Sequence, residues 1–203
     1  MSYKRLPLIQ LSGSNYEMGY QHGQQCKDKI KTLSKSLLVL AQKRLPGLTY
    51  EKALSLAKKF EPFIEEYAPH LIDEMKGIAE GTGLPLEEIY YLNARTEFSF
   101  RPTGCTTFAL AKSRTADGAV MLGHNVDTAA NMESQLVMLH MTPKKGPCIL
   151  MFVRAGTIGA IGINSDGLAR VGNGLKSQGY RELGVPVAVI HRMILEQKTV
   201  KTP

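Results

Sequence analysis

The stretch Arg101-Pro102-Thr103-Gly104-Cys105-Thr106-Thr107 separates two parts of the chain that differ in character. Proline and glycine favour a turn, and the threonines after the cysteine favour a β-strand. A thiol at the start of a strand, directly after a glycine, can attack the carbonyl of that glycine. A cut at this bond would make Cys105 an N-terminal residue with two reactive groups, a thiol nucleophile and an α-amine of pKa about 7.7–8.0.

The sequence before this turn predicts helices. A short strand is expected at 7–12, and the capping-box pair Ser14 and Glu17 then opens an apolar repeat of three or four residues that extends to Leu40. This pattern predicts one long helix. Further helices are expected after Thr49, from Pro69 and after Pro85, so that 14 to about 98 is predicted to be helical.

Two polar residues of the first helix have structural interpretations. His22 lies next to the glycines of the helix, and no second residue has the spacing of a metal-ligand pair with it. We therefore interpret His22 as a structural residue. The apolar repeat likewise places Cys26 in the core.

The sequence after Cys105 predicts strands. Short apolar runs occupy 106–111, 119–122, 135–141, 148–153, 157–163 and 168–171. Turn sequences, of which Asp117-Gly118 is the clearest, join the members of each successive pair. The pattern predicts an antiparallel meander. A last helix is expected to present an apolar face made of Val187, Ile190, His191, Ile194 and Leu195.

Composition limits the classes of function. Of 203 residues, 43% are hydrophobic and 21% are charged, as is typical of a globular protein. No apolar run reaches the roughly 18 residues of a membrane-spanning helix, and the first residues lack the apolar core of a signal peptide. We expect a cytoplasmic protein without membrane segments. The three cysteines have no metal-site or disulfide spacing, so no metal is predicted.

The net charge is +7, and its larger share lies after residue 104. This balance suits an anionic substrate or partner. No basic run with interleaved aromatic residues is present in the sequence, which argues against nucleic-acid binding.

Five stretches resemble one family in residue type and order. They are Gly13-Ser-Asn-Tyr-Glu-Met-Gly-Tyr-Gln-His-Gly23, Leu92-Asn-Ala-Arg-Thr-Glu97, Gly104-Cys-Thr-Thr107, Gly123-His-Asn-Val-Asp127 and 159–168 leading to Asn173. Together they resemble the penicillin (isopenicillin N) acyltransferase-like family of autoproteolytic acyltransferases, which are cysteine N-terminal-nucleophile (Ntn) hydrolases.

The resemblance implies an α+β fold, the Ntn-hydrolase αββα sandwich of two antiparallel sheets covered by helices. It also implies that the precursor cuts itself between Gly104 and Cys105. A helical segment 1–104 and a β-rich segment 105–203 would then form two subunits of one structural domain. The composition change at the same position, noted above from the residues alone, agrees with this division.

The resemblance also implies a catalytic set. Cys105 would be the nucleophile, forming an acyl-cysteine that an amine resolves by transfer or water by hydrolysis. Asp127 would hold the new α-amine, although a plain turn carboxylate is the alternative. Asn173 would donate to an oxyanion, or would be a structural turn residue.

Four more residues are candidates for supporting roles. Arg95 and Glu97 match the family's segment before the cut, where they would form a pair close to the scissile bond or else a solvated helical pair. Asn125 and Thr106 flank the nucleophile strand. His124 is unnecessary as a general base because the α-amine can take that role. No cofactor is implied, and by family analogy a coenzyme A thioester is open as acyl donor.

The sequence departs from the family in length. The family's chains are considerably longer, and a further asparagine of their oxyanion hole has no counterpart here. The sandwich is therefore expected to be incomplete at its C-terminus, and homo-oligomerisation remains open. The alternative to an acyltransferase or amidohydrolase is a truncated, non-catalytic family member that acts as a binding or structural module.

Overall fold

The computed structural model describes residues 5–98, 104–127, 130–174 and 183–200. Its fold is α+β, as predicted, with seven of the eight described α-helices before Gly104 and six of the seven described strands after it. The helices are α1 (Asn15–Gln25), α2 (Lys27–Arg44), α3 (Tyr50–Lys58), α4 (Glu61–Tyr67), α5 (Pro69–Thr82), α6 (Leu86–Asn93), α7 (Arg95–Phe98) and α8 (Val187–Leu195). The strands are β1 (Leu8–Gly13), β2 (Cys105–Leu110), β3 (Met121–Val126), β4 (Leu136–Pro143), β5 (Ile149–Arg154), β6 (Ile161–Asn164) and β7 (Ala169–Arg170).

The long helix predicted from Ser14 onward is divided in two. The capping box is present, since the Ser14 hydroxyl accepts from the Glu17 backbone N–H and the Glu17 carboxylate accepts from the Ser14 backbone N–H. The break falls at Cys26, whose backbone angles are φ −113° and ψ 15°. Helical hydrogen bonds continue on both sides of Cys26, so the apolar repeat does not reveal the change of direction.

Helix α1 packs against α5 through glycines. A Cβ atom at Gly19 would overlap with the carbonyl oxygen of Glu74, and one at Gly77 would overlap with the carbonyl oxygen of Tyr16. The two backbones are therefore in direct contact. This contact fixes α1, and with it His22, relative to the rest of the helical layer.

The other predicted helix starts are confirmed. The Thr49 hydroxyl accepts from the Lys52 backbone N–H, and α5 begins at Pro69. Helix α5 ends before Gly83, which has a left-handed φ of 71°. Helix α3 ends at Lys58, four residues before Pro62, and Pro62 lies in the first turn of a separate helix, α4, where its missing N–H costs nothing.

Five strands form one sheet in the order β1-β4-β5-β6-β7, and β2 and β3 form a separate hairpin. The antiparallel meander is confirmed for β4 to β7, whereas β1 pairs with β4 in parallel. Two strand boundaries differ from the prediction. Strand β3 extends to Val126 and includes the Gly123-His124-Asn125 segment, and 157–160 precedes β6 as an irregular segment.

The five-stranded sheet lies between the helices and the hairpin. Along β5, Ile149, Met151 and Val153 are buried in the core cluster that the helices contribute to. The alternate residues Phe152 and Arg154 face the other way. Phe152, Arg154 and Val126 of the hairpin line one cavity, so the hairpin lies over this second face. Two stacked sheets with helices on one side are consistent with the predicted sandwich.

Helix α8 lies where the sequence predicts it, and it buries a charge in place of two of its apolar residues. Ile190 and Ile194 are 42% and 38% exposed, while Arg192 is 1% exposed. The Arg192 guanidinium makes two bonds to the Glu74 carboxylate, at 2.8 and 3.2 Å, and these compensate for its burial. In the described ranges, no helix combines the length and the apolar character needed to cross a membrane.

Candidate functional site

Cys105 is the first residue of β2 and is half-buried. It lies opposite Val126 of β3 in the antiparallel register. Directly opposed residues of two paired strands project from the same face of the sheet. The side chains of Cys105 and Val126 therefore share the inner face of the hairpin, together with Thr107 and His124, the next inward pair.

Asp127 lies directly against Gly104. Its backbone N–H donates to the Gly104 carbonyl oxygen at 3.0 Å. A Cβ atom at position 104 would overlap with Oδ2 of Asp127. A side chain at position 104 would therefore displace the end of this exposed carboxylate, which glycine leaves in place. The hairpin thus brings together Gly104 and Cys105, which the sequence predicted for self-cleavage, and Asp127, which it predicted to hold the new α-amine.

Arg154, at the end of β5, brings positive charge to the same place. Burial lowers the pKa of Arg154, and the negative charge of the Cys105 thiolate acts in the opposite direction. Arg154 is opposite Leu136 of β4, and both line the cavity next to Val126. The guanidinium and the sulfur are therefore within electrostatic reach of one another.

The segment that follows Arg154 is held by three polar side chains. His22 Nε2 accepts from the Gly156 backbone N–H at 3.0 Å. Asn93 donates to the Gly156 carbonyl oxygen and accepts from the Ile158 N–H. Arg95 Nη1 donates to the Thr157 hydroxyl at 3.0 Å. The predicted structural role of His22 agrees with this contact, which ties α1 to the segment next to the site.

A cavity of about 100 Å³ adjoins the hairpin at Val126. Its polar lining residues are Arg95 and Arg154. The apolar lining residues are Val126, Leu136, Phe152, Val153, Ala160 and Ile161. Burial and then the charge of Arg154 lower the pKa of Arg95 to about 10, against the opposing charge of Glu97.

Further positive charge surrounds the inner face of the hairpin. Burial lowers the pKa of His124, and the charge of Arg170 adds to this effect. The pKa of His191 is about 3, mainly through burial and then through Arg170 and Arg95. Both ring nitrogens of His124 are shielded from solvent and lack a hydrogen-bond partner among the described residues. His124 is therefore a neutral member of a cationic face.

The supporting residues divide between three places. Arg95 lines the cavity, and Glu97 accepts from the Val187 backbone N–H at 2.7 Å, where it lies at the start of α8. Their charges act on one another, and both are half-buried, unlike a solvated helical pair. Thr106 and Asn125 oppose each other on the outer, exposed face of the hairpin, away from the Cys105 side chain.

Asn173 is separate from this cluster. It follows β7, the edge strand of the five-stranded sheet, and its side chain is exposed. In the part of the chain that the structure describes, no hydrogen bond joins Asn173 to Cys105 or Asp127. Its role as an oxyanion donor stays a prediction.

The sequence did not single out Arg154. The available signal was its position: a charged residue at the end of an apolar strand, directly before Ala155-Gly156. Its proximity to Cys105 depends on the stacking of two sheets, and residues 105 and 154 are far apart along the chain. Periodicity along one strand cannot show that stacking.

His22 predicts a pH dependence of stability. Burial lowers its pKa from 6.5 to about 4, and the charge of Arg192 adds to the shift. Between pH 6.5 and 4, His22 is therefore mostly protonated in the unfolded chain and mostly neutral in the folded chain. We expect the free energy of unfolding to be fully retained above pH 6.5 and to fall by about 3 kcal/mol towards pH 4 through this group.

The matched variant is His22→Gln, whose side-chain oxygen can accept the Gly156 N–H without titrating. We expect the free energy of unfolding, measured with urea at intervals between pH 7 and 4, to change less with pH in His22→Gln than in the wild type. An equal change of the free energy of unfolding with pH in the two proteins would contradict the assignment of this pH dependence to His22. His191, with a pKa lowered in the same direction, contributes equally to both curves.

Fold and site together define an α+β protein that presents a cysteine at the start of a hairpin strand, with an aspartate against the preceding glycine. The sequence pattern of the acyl-coenzyme A:6-aminopenicillanic acid acyl-transferase family matches residues 113–202. The chain is 32% identical over 192 residues to the acyl-coenzyme A:6-aminopenicillanic-acid-acyltransferase 40 kDa form of Emericella nidulans, covering 93% of this chain and 52% of that protein.

A second relative is an uncharacterized protein of Archaeoglobus fulgidus, 25% identical over 183 residues, which covers 78% of this chain and 30% of that protein. The chain belongs to the acyl-coenzyme A:6-aminopenicillanic acid acyl-transferase family. The chain spans about half the length of the Emericella relative, and the match to the archaeal protein covers 30% of that protein.

Proposed function

We propose that this chain is an autoproteolytic cysteine Ntn hydrolase that cuts itself between Gly104 and Cys105 and then transfers or hydrolyses acyl groups. The observation that carries the proposal is the contact between Asp127 and Gly104 at the start of the nucleophile strand. Membership of an acyltransferase family supports acyl transfer in general. The self-cleavage and the cysteine nucleophile are argued from the geometry.

In the first step, Cys105 Sγ bonds to the carbonyl carbon of Gly104, and the peptide C–N bond breaks as the acyl group moves to sulfur. Negative charge develops on the Gly104 oxygen during this attack. That oxygen already accepts a hydrogen bond from the Asp127 N–H, which is the contact expected of an oxyanion donor. Water then cleaves the thioester, leaving a carboxylate on Gly104 and a free thiol and amine on Cys105.

The freed α-amine would remain close to the Asp127 carboxylate, because that carboxylate contacts the Cα side of Gly104, the residue bonded to the amine before the cut. A charge-assisted hydrogen bond would orient the amine to take the proton of the thiol. The second reaction then repeats the chemistry of the first on an external acyl compound, with an acyl-cysteine as intermediate.

Amides and thioesters both suit this sequence of steps. The Emericella relative is named for acyl-coenzyme A and 6-aminopenicillanic acid. We extend the thioester class of donor to this chain, with an amine or water as acceptor. No resident cofactor or metal takes part in the proposed steps.

The test is the intact mass of freshly purified protein under denaturing conditions, with Cys105→Ala as the control. We expect two fragments, 1–104 and 105–203, from the wild type and one uncut chain from Cys105→Ala. A wild-type chain that stays whole, although its circular dichroism shows it folded, would contradict self-processing and favour the binding or structural module.

A further inference from the structure

Helix α2 concentrates positive charge. Its basic residues outnumber its one acidic residue, Asp28, by six to one, which gives α2 a formal charge of +5. The formal charge of all 203 residues is +7. The basic residues of α2 are Lys27, Lys29, Lys31, Lys35, Lys43 and Arg44. No step of the proposed function uses this charge.

Four of these lysines form a row on the solvent side of α2. Lys27, Lys31, Lys35 and Lys43 are four or eight residues apart, and Val39 fills the gap in the row. Lys31 is half-buried, and the other four residues are exposed. At 1.5 Å per residue the row is about 24 Å long. We call these five residues the basic row.

The charge of the basic row is not compensated within the protein. In the described ranges, no ion pair joins any of its four lysines to a carboxylate. Like charges four residues apart on a helix repel each other and lower its stability. Helix stability therefore does not explain the row, whereas a negatively charged partner would offset the repulsion.

The basic row points away from the candidate site. On the opposite side of α2, Ile30, Leu33 and Leu37 are buried in the core. A Cβ atom at Gly156, in the segment next to the site, would lie 3.1 Å from the Ile30 side chain. The five-stranded sheet lies between the helices and the hairpin, so a large surface can contact α2 without covering Cys105.

We propose that the basic row binds the surface of a membrane that contains anionic lipids. Each lysine close to such a surface strengthens binding by about fivefold. The helix keeps its apolar side in the protein core, so it lies on the lipid headgroups and does not insert. The row is straight and exposed along its length, which suits a flat surface.

The exposed apolar residues favour lipid over nucleic acid. Val39, within the row, is 52% exposed, and Leu45, directly after α2, is 45% exposed. At a bilayer these side chains reach the boundary between headgroups and acyl chains. The sequence of α2 contains no aromatic residue on which a base could stack.

Sedimentation of the full chain with lipid vesicles tests the proposal. One set of vesicles is phosphatidylcholine, and the other is phosphatidylcholine mixed with phosphatidylglycerol. At low salt we expect the partition coefficient to be about a hundredfold higher for the anionic vesicles, from the combined effect of four lysines. High salt should abolish the difference, because counterions screen exposed charges.

Two double variants locate the effect. Lys31→Gln with Lys35→Gln should lower binding to anionic vesicles by about 25-fold, and glutamine retains the helix propensity of lysine. Lys112→Gln with Lys145→Gln removes the same charge from exposed positions in the links between β2 and β3 and between β4 and β5. This control should change the binding by less than about twofold.

Equal binding to the two kinds of vesicle at low salt, or an equal loss in the two double variants, would overturn the proposal. Tighter binding to duplex DNA than to anionic vesicles at the same salt would overturn it as well, and would assign the row to nucleic acid. If Lys31→Gln with Lys35→Gln fails to fold by circular dichroism, Lys27→Gln with Lys43→Gln replaces it with the same expected loss. Self-cleavage is read by intact mass in the same samples, so membrane binding and the proposed function can fail independently.

Discussion

Replacing Arg192 by methionine is expected to lower the free energy of unfolding by about 3–5 kcal/mol, because the buried Glu74 carboxylate then loses its cation. Arg192 and Glu74 are each 1% exposed and meet at 2.8 Å. The same guanidinium binds Glu196 at 2.9 Å and the Ile158 carbonyl oxygen at 3.2 Å. One side chain therefore joins α8 to α5 and to the segment before β6.

The paired replacement separates the charge from the packing. Burial raises the pKa of Glu74, and the positive charge of Arg192 opposes this. In Glu74→Leu with Arg192→Met the fully buried carboxylate is gone as well, and Glu196 keeps its contact with His70 at 2.9 Å, so we expect the double variant to be clearly more stable than Arg192→Met. A loss equal to the sum of the single variants would contradict the coupling.

An exposed ion pair provides the control for the size of the effect. Lys58 and Glu87 meet at 3.3 Å with side chains 59% and 33% exposed. Lys58→Met should change the free energy of unfolding by about 1 kcal/mol at most. Urea unfolding at pH 7 measures the wild type, Arg192→Met, Glu74→Leu, the double variant and Lys58→Met, and a loss below about 1 kcal/mol in Arg192→Met would refute the buried-pair assignment.

The helices could be predicted because their signals are local. The Ser14 capping box, the Thr49 cap and Pro69 each act within one turn of the helix that they begin. The buried pair could not be predicted, since Glu74 and Arg192 lie 118 positions apart and each interrupts an otherwise apolar helix face. An apolar repeat assigns such a charge to solvent, so it gives no sign that Arg192 is buried.

The candidate site likewise combines contacts that are local in the sequence with one that is not. Cys105 and Asp127 come together because they begin and follow the two strands of one hairpin, an arrangement readable from the Asp117-Gly118 turn between them. Arg154 joins them only through the stacking of two sheets. The parallel pairing of β1 with β4 is equally non-local, because it brings together strands that are separated by all the helices from α1 to α7.

Gly104→Ala is expected to slow self-cleavage by about 100-fold, the effect of misplacing reacting groups by about 1 Å. The added methyl would overlap with Oδ2 of Asp127 and push the carboxylate away. The backbone bond of 3.0 Å from the Asp127 N–H to the Gly104 oxygen holds the two residues together, so the methyl and the carboxylate compete for one place beside the reacting carbonyl. The appearance of fragment 105–203 with time, followed by intact mass after synthesis in vitro, measures the rate.

Asp127→Asn is the matched variant, because it keeps the shape of the side chain and the backbone N–H and removes only the charge. We expect it to cut at nearly the wild-type rate. Once cut, it should release thiol from acetyl-coenzyme A more slowly than the wild type, since the α-amine of Cys105 loses its anionic partner. Gly104→Ala, once cut, should match the wild type because residue 104 has then left the nucleophile.

The two variants thus affect different steps if the Gly104 contact serves the cut and the Asp127 charge serves the later acyl transfer. Loss of cutting in Asp127→Asn with normal cutting in Gly104→Ala would reverse that assignment and place the essential function in the carboxylate. Equal slowing of both steps by both variants would instead indicate that the contact only maintains the end of the hairpin. The comparison needs no knowledge of the natural acyl donor, because the first step uses the chain itself as its substrate.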